Sequence, residues 1–575
     1  MKRNMAYCRR NQFVLMIAVT LLVMAIIGRL IYLMYWEADY YGTKAQEIRE
    51  RERSIKAKRG LIYDRNGIVL ASNEPVCNIM VIHNQVTDKE KVVKVLSKEL
   101  SIDEEVIRKK VEKYSSIEKI KQNVPKEIAD KIRDYELDGV MVDEDYKRYY
   151  PKGYLASKVI GFSGADNQGI IGLEIKYDKY LKGKNGKLLT ITTANGLEID
   201  GLPKGRIEPI KGYDLNTSLD VNIQQFAYQT AKKVKTMKQA KSVKVIIMNP
   251  VNGEIYAMVN EPEFDLNNPY TLTEEYSEGL DDNNLSEKLN LMWRNGCISD
   301  TYEPGSTFKI ITAASAFEEN VLNVNDTFSC PGYKIVEDRR IRCHKVSGHG
   351  IETFREGIMN SCNPVFMEIG ARVGVERTYY YYKKLGLFNK SGIDLPGEAV
   401  SIMHKMNAIG NVELATMSFG QSFQITPLEL LVAVSAVING GTIVTPHVGV
   451  TITDEEKNVV KTCKYKTTNN AVSKKTCEIM KELLEAVVAE GTGKNAIVEN
   501  QRVGGKTATS EKLPRKTGKY ISSFLGFAPA DNPEYIGIVL IDEPQGAYYG
   551  GTVAAPVFSE IFSNILNTNL IKDNN

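Results

Sequence analysis

No excess of either charge marks this chain: 74 basic side chains stand against 71 acidic ones over 575 residues. That near-cancellation removes the global positive field on which non-specific nucleic-acid binding depends, so nucleic acid is not expected as a partner. Paired cysteines are missing too. The eight cysteines, at 8, 77, 297, 330, 343, 362, 463 and 477, include no C-x-x-C, so neither a zinc ribbon nor a disulfide-dense mini-domain is implied. No metal ligand and no cofactor is assigned from these spacings. Cys330 and Cys343 bracket the polar stretch PGYKIVEDRRIR. Outside a membrane a bridge there is chemically allowed, and spacing leaves a disulfide and two free thiols both open. With 43% apolar and 25% charged residues the chain is too apolar for disorder and long enough for two or more packed domains.

One apolar run stands apart. Phe13 to Trp36 reads FVLMIAVTLLVMAIIGRLIYLMYW, about 24 residues or about 36 Å of helix, enough to cross a bilayer. Lys2, Arg3, Arg9 and Arg10 precede it and Glu37 and Asp39 follow. The positive-inside rule therefore puts residues 1–12 in the cytoplasm and everything after Tyr40 outside. Arg29 lies near the outer end, where its side chain can snorkel to the headgroups. A cleaved signal peptide fits poorly, because the apolar core is too long and no small-x-small site follows it. A retained single-pass anchor is expected.

Beyond the anchor, residues 43–58 (TKAQEIRERERSIKAK) are dominated by charge and read as a solvated helix or stalk. Arg59 to Asn73 has the grammar of a hairpin, two short apolar runs around Asn66-Gly67. Residues 85–137 read as helical, with Val92, Val95, Leu96 and Leu100 at helical spacing in an ordinary packing layer. From Ala240, SVKVIIMNPVNGEIYAMVN reads as strand, Asn-Gly turn, strand, the opening of a larger α/β sheet domain. The main boundary is placed between Gly201 and Asn222.

The chemistry concentrates in three short elements. Tyr302 to Lys309 reads YEPGSTFK and runs into the apolar IITAASAFEEN, a buried helix. The Pro304-Gly305 turn delivers Ser306 to the helix start, and Lys309, three residues on, shares its face. A serine hydroxyl is a weak nucleophile until a neighbouring base takes its proton. A buried lysine serves once its pKa falls from about 10.4 toward 7 to 8. Ser-x-x-Lys alone is weak: Ser116 to Lys119 also matches, in a charged stretch without the turn or the apolar helix, and is taken as chance. Next comes Ser361-Cys362-Asn363, whose hydroxyl can pass a proton while the amide holds a substrate carbonyl. Third is Lys506-Thr507-Ala508-Thr509, ahead of strand-like SSFLGFAPA and EYIGIVLIDEP. A strand there offers a cation and a hydroxyl to a carboxylate, and the Thr509 N–H to an oxyanion.

In this order the three elements resemble the Ser-x-x-Lys, Ser-x-Asn and Lys-Thr-Gly set of penicillin-binding proteins and serine β-lactamases. The chain resembles a class B penicillin-binding protein over nearly its whole length. RGLIYDRNG from Arg59, RYYPKGYLASKVIGF from Arg148, GIIGLE from Gly169 and TSLDVNIQQ from Thr217 resemble the non-catalytic pedestal and its junction. SFGQSFQITPLEL from Ser418 and YYGGTVAAPVF from Tyr548 resemble later transpeptidase motifs. The stretch from Cys330 to Cys343, with SGHG and DEPQGAYYGG, is most similar to the division and sporulation branch.

The resemblance implies a multidomain α/β protein. Residues 1–12 would form a cytoplasmic tail, 13–36 a transmembrane helix and 37–205 an elongated α+β pedestal. Residues 206–575 would form a β-lactamase-like transpeptidase domain, an antiparallel sheet flanked by helices. It further implies that Ser306 is acylated by the penultimate D-Ala of a peptidoglycan stem peptide, and covalently by β-lactams. Lys309 and Ser361 would handle protons, Asn363 the substrate amide, Lys506 and Thr507 the carboxylate, and the N–H groups of Ser306 and Thr509 the oxyanion. No cofactor is implied, and a polytopic membrane glycan polymerase of the shape, elongation, division and sporulation type would be the partner.

Position 508 departs from the family, being Ala where the motif ends in Gly. The literal Lys516-Thr517-Gly518 lies in the polar run EKLPRKTGKY and reads as a loop between strands. If the glycine served positive φ, Ala508 would be strained; on an extended strand it adds only a methyl facing the cleft and keeps every N–H. The expectation is an active enzyme with an altered substrate or β-lactam fit. The alternative is an impaired cell-wall scaffold or a β-lactam sensor.

Overall fold

The computed structural model describes residues 2–41, 44, 50–114, 117–191, 205–279, 281 and 284–573. Helix α1 (Lys2–Tyr35) contains, from Arg10 to Tyr35, the stretch long and apolar enough to cross a membrane by length and composition. The chain divides into two compact units. One holds residues 1–58, 75–147 and 184–211; the other holds 59–74, 148–183 and 212–575.

In the first unit β1 (Glu50–Ile55) pairs antiparallel with β6 (Gly186–Ile191), which pairs with β7 (Gly205–Ile207). The expected solvated helix or stalk is thus corrected over residues 50–55, while 43 and 45–49 lie outside the described residues. A run of alternating Glu and Arg at the edge of a sheet is a soluble edge strand, and the partner that makes it a strand is more than 130 residues away. Residues 85–137 hold the helices α2 (Lys89–Leu100), α3 (Glu104–Glu112) and α4 (Lys126–Asp134), but β4 (Glu118–Pro125) interrupts them. Ile120 and Val124, four apart, fit a helix face as well as a bulged strand. Pairing with β3 (Val69–Val81) through irregular register decides for the strand. β3 also pairs with β5 (Val140–Tyr149). Val92, Leu96, Ile107, Ile120, Val124 and Ile132 form the core here. Asp88 and Asp103 cap α2 and α3 by accepting backbone N–H bonds from Lys91 and Glu105.

In the second unit the expected hairpin forms, β2 (Ile62–Tyr63) against β3, with Gly67 at φ +82° in the turn. Three sequence motifs meet here on one buried carboxylate. Arg59 Nε donates to Glu174 Oε2 at 2.5 Å, Arg148 Nε to Oε1 at 2.7 Å and Tyr150 Oη to Oε1 at 3.2 Å. Arg59 also reaches Asp178 at 2.7 Å. Burial pushes the Glu174 carboxyl up, but Arg148 and Arg59 outweigh it and hold it below the ordinary range.

The main sheet is antiparallel. Its strands β8 (Ser242–Met248), β9 (Ile255–Glu261), β10 (Gly504–Glu511), β11 (Tyr520–Ala528) and β12 (Tyr535–Asp542) lie in the order β9-β8-β12-β11-β10. Its apolar strands alternate between two cores, so both faces are covered. Val243, Val245 and Ile247 pack with α5 (Val221–Met237) and α10 (Gly550–Asp573), whereas Ile246 and Met248 share the core of α6 (Lys309–Glu318) and α9 (Pro427–Ile438). β10 is left as an edge strand beside the start of α6.

Candidate active site

Gly305 has φ +58°, and a side chain begun there would lie 2.6 Å from Ser510 Oγ. Only glycine lets the chain turn this close to β10. The Gly305 N–H is fixed to Gly420 O at 2.9 Å. One 3-10 turn, Gly305–Phe308, then carries Ser306, half-buried, into α6, whose residues 309–316 are all buried. The α6 helix therefore acts as a rigid post beneath the serine.

Lys309 has no exposed surface. Its Nζ donates to Ser361 O at 2.7 Å, Ser361 Oγ at 3.2 Å and Asn363 Oδ1 at 2.8 Å. The first two predicted elements are thereby brought together. Ser306 Oγ is not among the hydrogen-bond partners of this amine, which turns instead toward the loop between α7 (Phe354–Met359) and α8 (Asn363–Val373). Ser361 holds φ +55°, uncommon for a side-chain-bearing residue. Val365 and Phe366, both fully buried, anchor the loop from the α8 side.

On β10, Lys506 is also fully buried, and among the described residues its Nζ donates only to Thr507 O, at 3.4 Å. Burial lowers the Lys309 ammonium to about 8, against a weaker opposing pull from Cys362, Cys343 and Glu352. Burial first, and then the charge of Lys309, drive Lys506 well below the ordinary lysine range. With Lys309 nearby, Lys506 is the amine that gives up its proton the more easily. Thr507 Oγ1 donates to Thr492 Oγ1 at 3.3 Å, and Thr509 Oγ1 accepts the Gly550 N–H at 2.9 Å.

Ala508 is paired with Ser523 in mid-strand and is not among the described residues with positive φ. The strained reading of the Gly-to-Ala departure therefore fails. Its methyl is almost completely buried and turned to the Gly305 turn, 3.5 Å from where a side chain at 305 would begin, so it lines the underside of the site rather than the open cleft. Lys516-Thr517-Gly518 lies in the exposed hairpin between β10 and β11, as expected.

One cluster was not foreseen. Ligand atoms of Cys330, Cys343, His349 and Cys362 all lie within 4.8 Å of one another, and no disulfide links these cysteines. His349 Nδ1 is 3.6 Å from the sulfur of Cys330 and 3.7 Å from that of Cys343. A hydrogen bond with the Cys362 thiol pulls Cys343 toward the thiolate, and the same bond pushes Cys362 up. Three thiols and one imidazole, mostly buried, are a donor set that fits a single tetrahedral zinc ion. Such an ion would hold the Ser361-to-Asn363 loop from behind through Cys362. Separations of 13, 6 and 13 residues match no zinc-finger spacing, so the four ligands are not legible as a metal set in the sequence.

A turn-borne serine, a buried lysine with a lowered pKa and an edge strand carrying a second lysine define the site of a serine acyltransferase. The sequence agrees: residues 243–563 match the penicillin binding protein transpeptidase domain and residues 54–217 the penicillin-binding protein dimerisation domain, and the chain belongs to the class B penicillin-binding proteins. It is 38% identical to stage V sporulation protein D of Bacillus subtilis (strain 168), over 98% of this chain and 86% of that one. It is 30% identical to the probable peptidoglycan D,D-transpeptidase PenA of Neisseria meningitidis serogroup A, over 98% and 94%. Penicillin Binding Protein 2X from Streptococcus thermophilus shares the fold with a TM-score of 0.75 at 22% identity, covering 91% of this chain and 81% of that one. A peptidoglycan synthetase from Bifidobacterium adolescentis gives 0.72 at 22% identity, over 91% and 97%.

Proposed function

We propose that the chain is a peptidoglycan D,D-transpeptidase that works through an acyl-enzyme on Ser306. The observation that carries the reading is the fully buried Lys309, with its pKa near 8 and its amine bonded to Ser361 and Asn363. In its neutral form Lys309 takes the proton as Ser306 Oγ attacks the carbonyl carbon of the penultimate D-Ala. The N–H groups of Ser306 and Thr509 receive the oxyanion. The C–N bond to the terminal D-Ala then breaks, and Ser361, 3.2 Å from Lys309 Nζ, passes the proton on to the leaving amine. An amine of a neighbouring stem attacks the ester, loses its proton to the same relay, and Ser306 leaves with its hydroxyl restored. Lys506 and Thr507 bind the terminal carboxylate of the donor. An arriving carboxylate restores the charge that burial takes from Lys506.

The lysines and arginines before the anchor support a cytoplasmic N-terminus, with residues 1–12 inside, 13–36 spanning, 37–205 as pedestal and 206–575 as the catalytic domain. Likeness to a relative named stage V sporulation protein D supports work in spore cell-wall synthesis, with septal synthesis as the other wall-building system this reading allows. The glycan strands would come from a separate polytopic membrane polymerase. The test is covalent labelling with a fluorescent penicillin followed by intact mass. Saturable labelling that vanishes in Ser306→Ala is expected; an unlabelled wild type would favour the scaffold reading.

A further inference from the structure

Glu303, three residues before Ser306, is 7% exposed, and its carboxylate ties together three segments that are distant in sequence. Oε1 accepts the Ser422 N–H at 2.8 Å. Arg515 Nη2 donates to Oε1 at 3.0 Å and to Oε2 at 2.8 Å. On either side of Glu303 the backbone is already stapled to the 420–425 segment, by two Tyr302–Ile425 bonds of 3.0 Å and by Gly305 to Gly420 at 2.9 Å. Arg515 belongs to the hairpin loop that joins β10 to β11. Neighbouring cations of that loop turn the other way: Lys512 bonds Asp542 and Glu543 at 2.8 and 2.6 Å, and Lys519 pairs with Glu543 at 3.1 Å.

The geometry matters because the two halves of the proposed oxyanion site come from different parts of the chain. Ser306 lies on the turn and Thr509 on β10, and the turn packs against the strand with no room even for a methyl at Gly305. Whatever fixes the hairpin to the turn fixes the gap between their N–H groups. Oxyanion donors act only within a few tenths of an ångström of their ideal distance. We propose that Arg515 is a positioning residue: its ion pair with Glu303 clamps the β10–β11 hairpin to the nucleophile turn and sets that gap. The proposal rests on the reading of Ser306 as the acylated serine.

The test uses the full chain in detergent, a fluorescent penicillin and rapid mixing, so that the limiting acylation rate and the half-saturating concentration are read separately. R515Q and E303Q should each lower the limiting rate about tenfold, with the half-saturating concentration unchanged. R515K should recover most of the rate, and K516Q, in the same loop but without contact to Glu303, should match wild type. Because the Arg515 side chain is 36% exposed, the thermal midpoint should move little. Three results overturn the clamp: a wild-type limiting rate in R515Q, a loss confined to half-saturation, or a loss that follows the thermal midpoint and is not recovered by R515K. Failure of wild type itself to label would instead sink the serine reading, and that is seen before any variant is made.

Discussion

Two buried charged clusters in the second unit make opposite use of the same cost. Around Glu174, two arginines meet a carboxylate, and a second acid, Asp178, accepts from Nη1 of Arg59. Charge is matched where it is buried. Around Lys309 and Lys506, two lysine amines share one dry site, and among the described residues neither forms an ion pair. Charge has no partner there, and in the proposed function the substrate's carboxylate supplies it. The first cluster fastens the chain together; the second stores a cost that catalysis can use.

Deleting one member of each cluster should break this symmetry most visibly. K309M should reduce penicillin acylation by about a thousandfold or more, because the serine loses its base. Stability should hold or rise, since holding the amine near 8 instead of 10.5 costs roughly 3 kcal/mol. E174Q should do the reverse, costing about 3–5 kcal/mol by stranding Arg148 and leaving Arg59 with Asp178 alone, while the remaining folded protein acylates normally. Thermal unfolding and labelling on the same samples separate the two patterns; a stable E174Q would show the ion cluster to be ornamental.

The sign of the Lys309 shift gives a milder test. Its folded pKa lies below the unfolded value, so the stability cost is fully present below pH 8 and fades as pH rises toward 10.5. The acylation rate should move the same way, rising about tenfold per pH unit up to about 8 and then levelling, as the neutral amine accumulates. A flat profile between pH 6 and 9, roughly the window that spans this pKa, would take the base role away from Lys309.

What the sequence disclosed and what it hid divide along contact range. Ser306 and Lys309 need only a turn and one helical step, and Ser361 and Asn363 only a loop, so short patterns suffice. The strands β1 and β4 were hidden because their pairing partners, not their own residues, make them strands. Arg59, Arg148 and Glu174 stood inside motifs recognised one by one, but nothing local said that they meet. The cluster of Cys330, Cys343, His349 and Cys362 was hidden for the same reason, and it borders the active site through Cys362. If it holds zinc, a strong chelator should release one ion per chain, lower the thermal midpoint by several degrees and slow acylation, because Ser361 and Asn363 lose their rear support. Metal analysis showing no zinc in protein purified without chelator would leave four free ligands instead.

The smallest effect is expected at Ala508, where the third motif departs from the family's glycine. Ala508 sits in extended backbone, so A508G relieves no strain and gains only the flexibility that costs a strand up to about 1 kcal/mol. The methyl packs against the Gly305 turn that precedes Ser306, 3.5 Å from where a side chain at 305 would begin. Acylation by penicillin should therefore change by less than about threefold, equivalent to under ~1 kcal/mol, with a slightly lower thermal midpoint. A rate gain of about tenfold or more would mean that the methyl obstructs the acyl donor. Substrate fit at β10 would then be set by residue 508 rather than by Lys506 and Thr507, and the unmatched lysine pair would owe its poise to what the methyl keeps out.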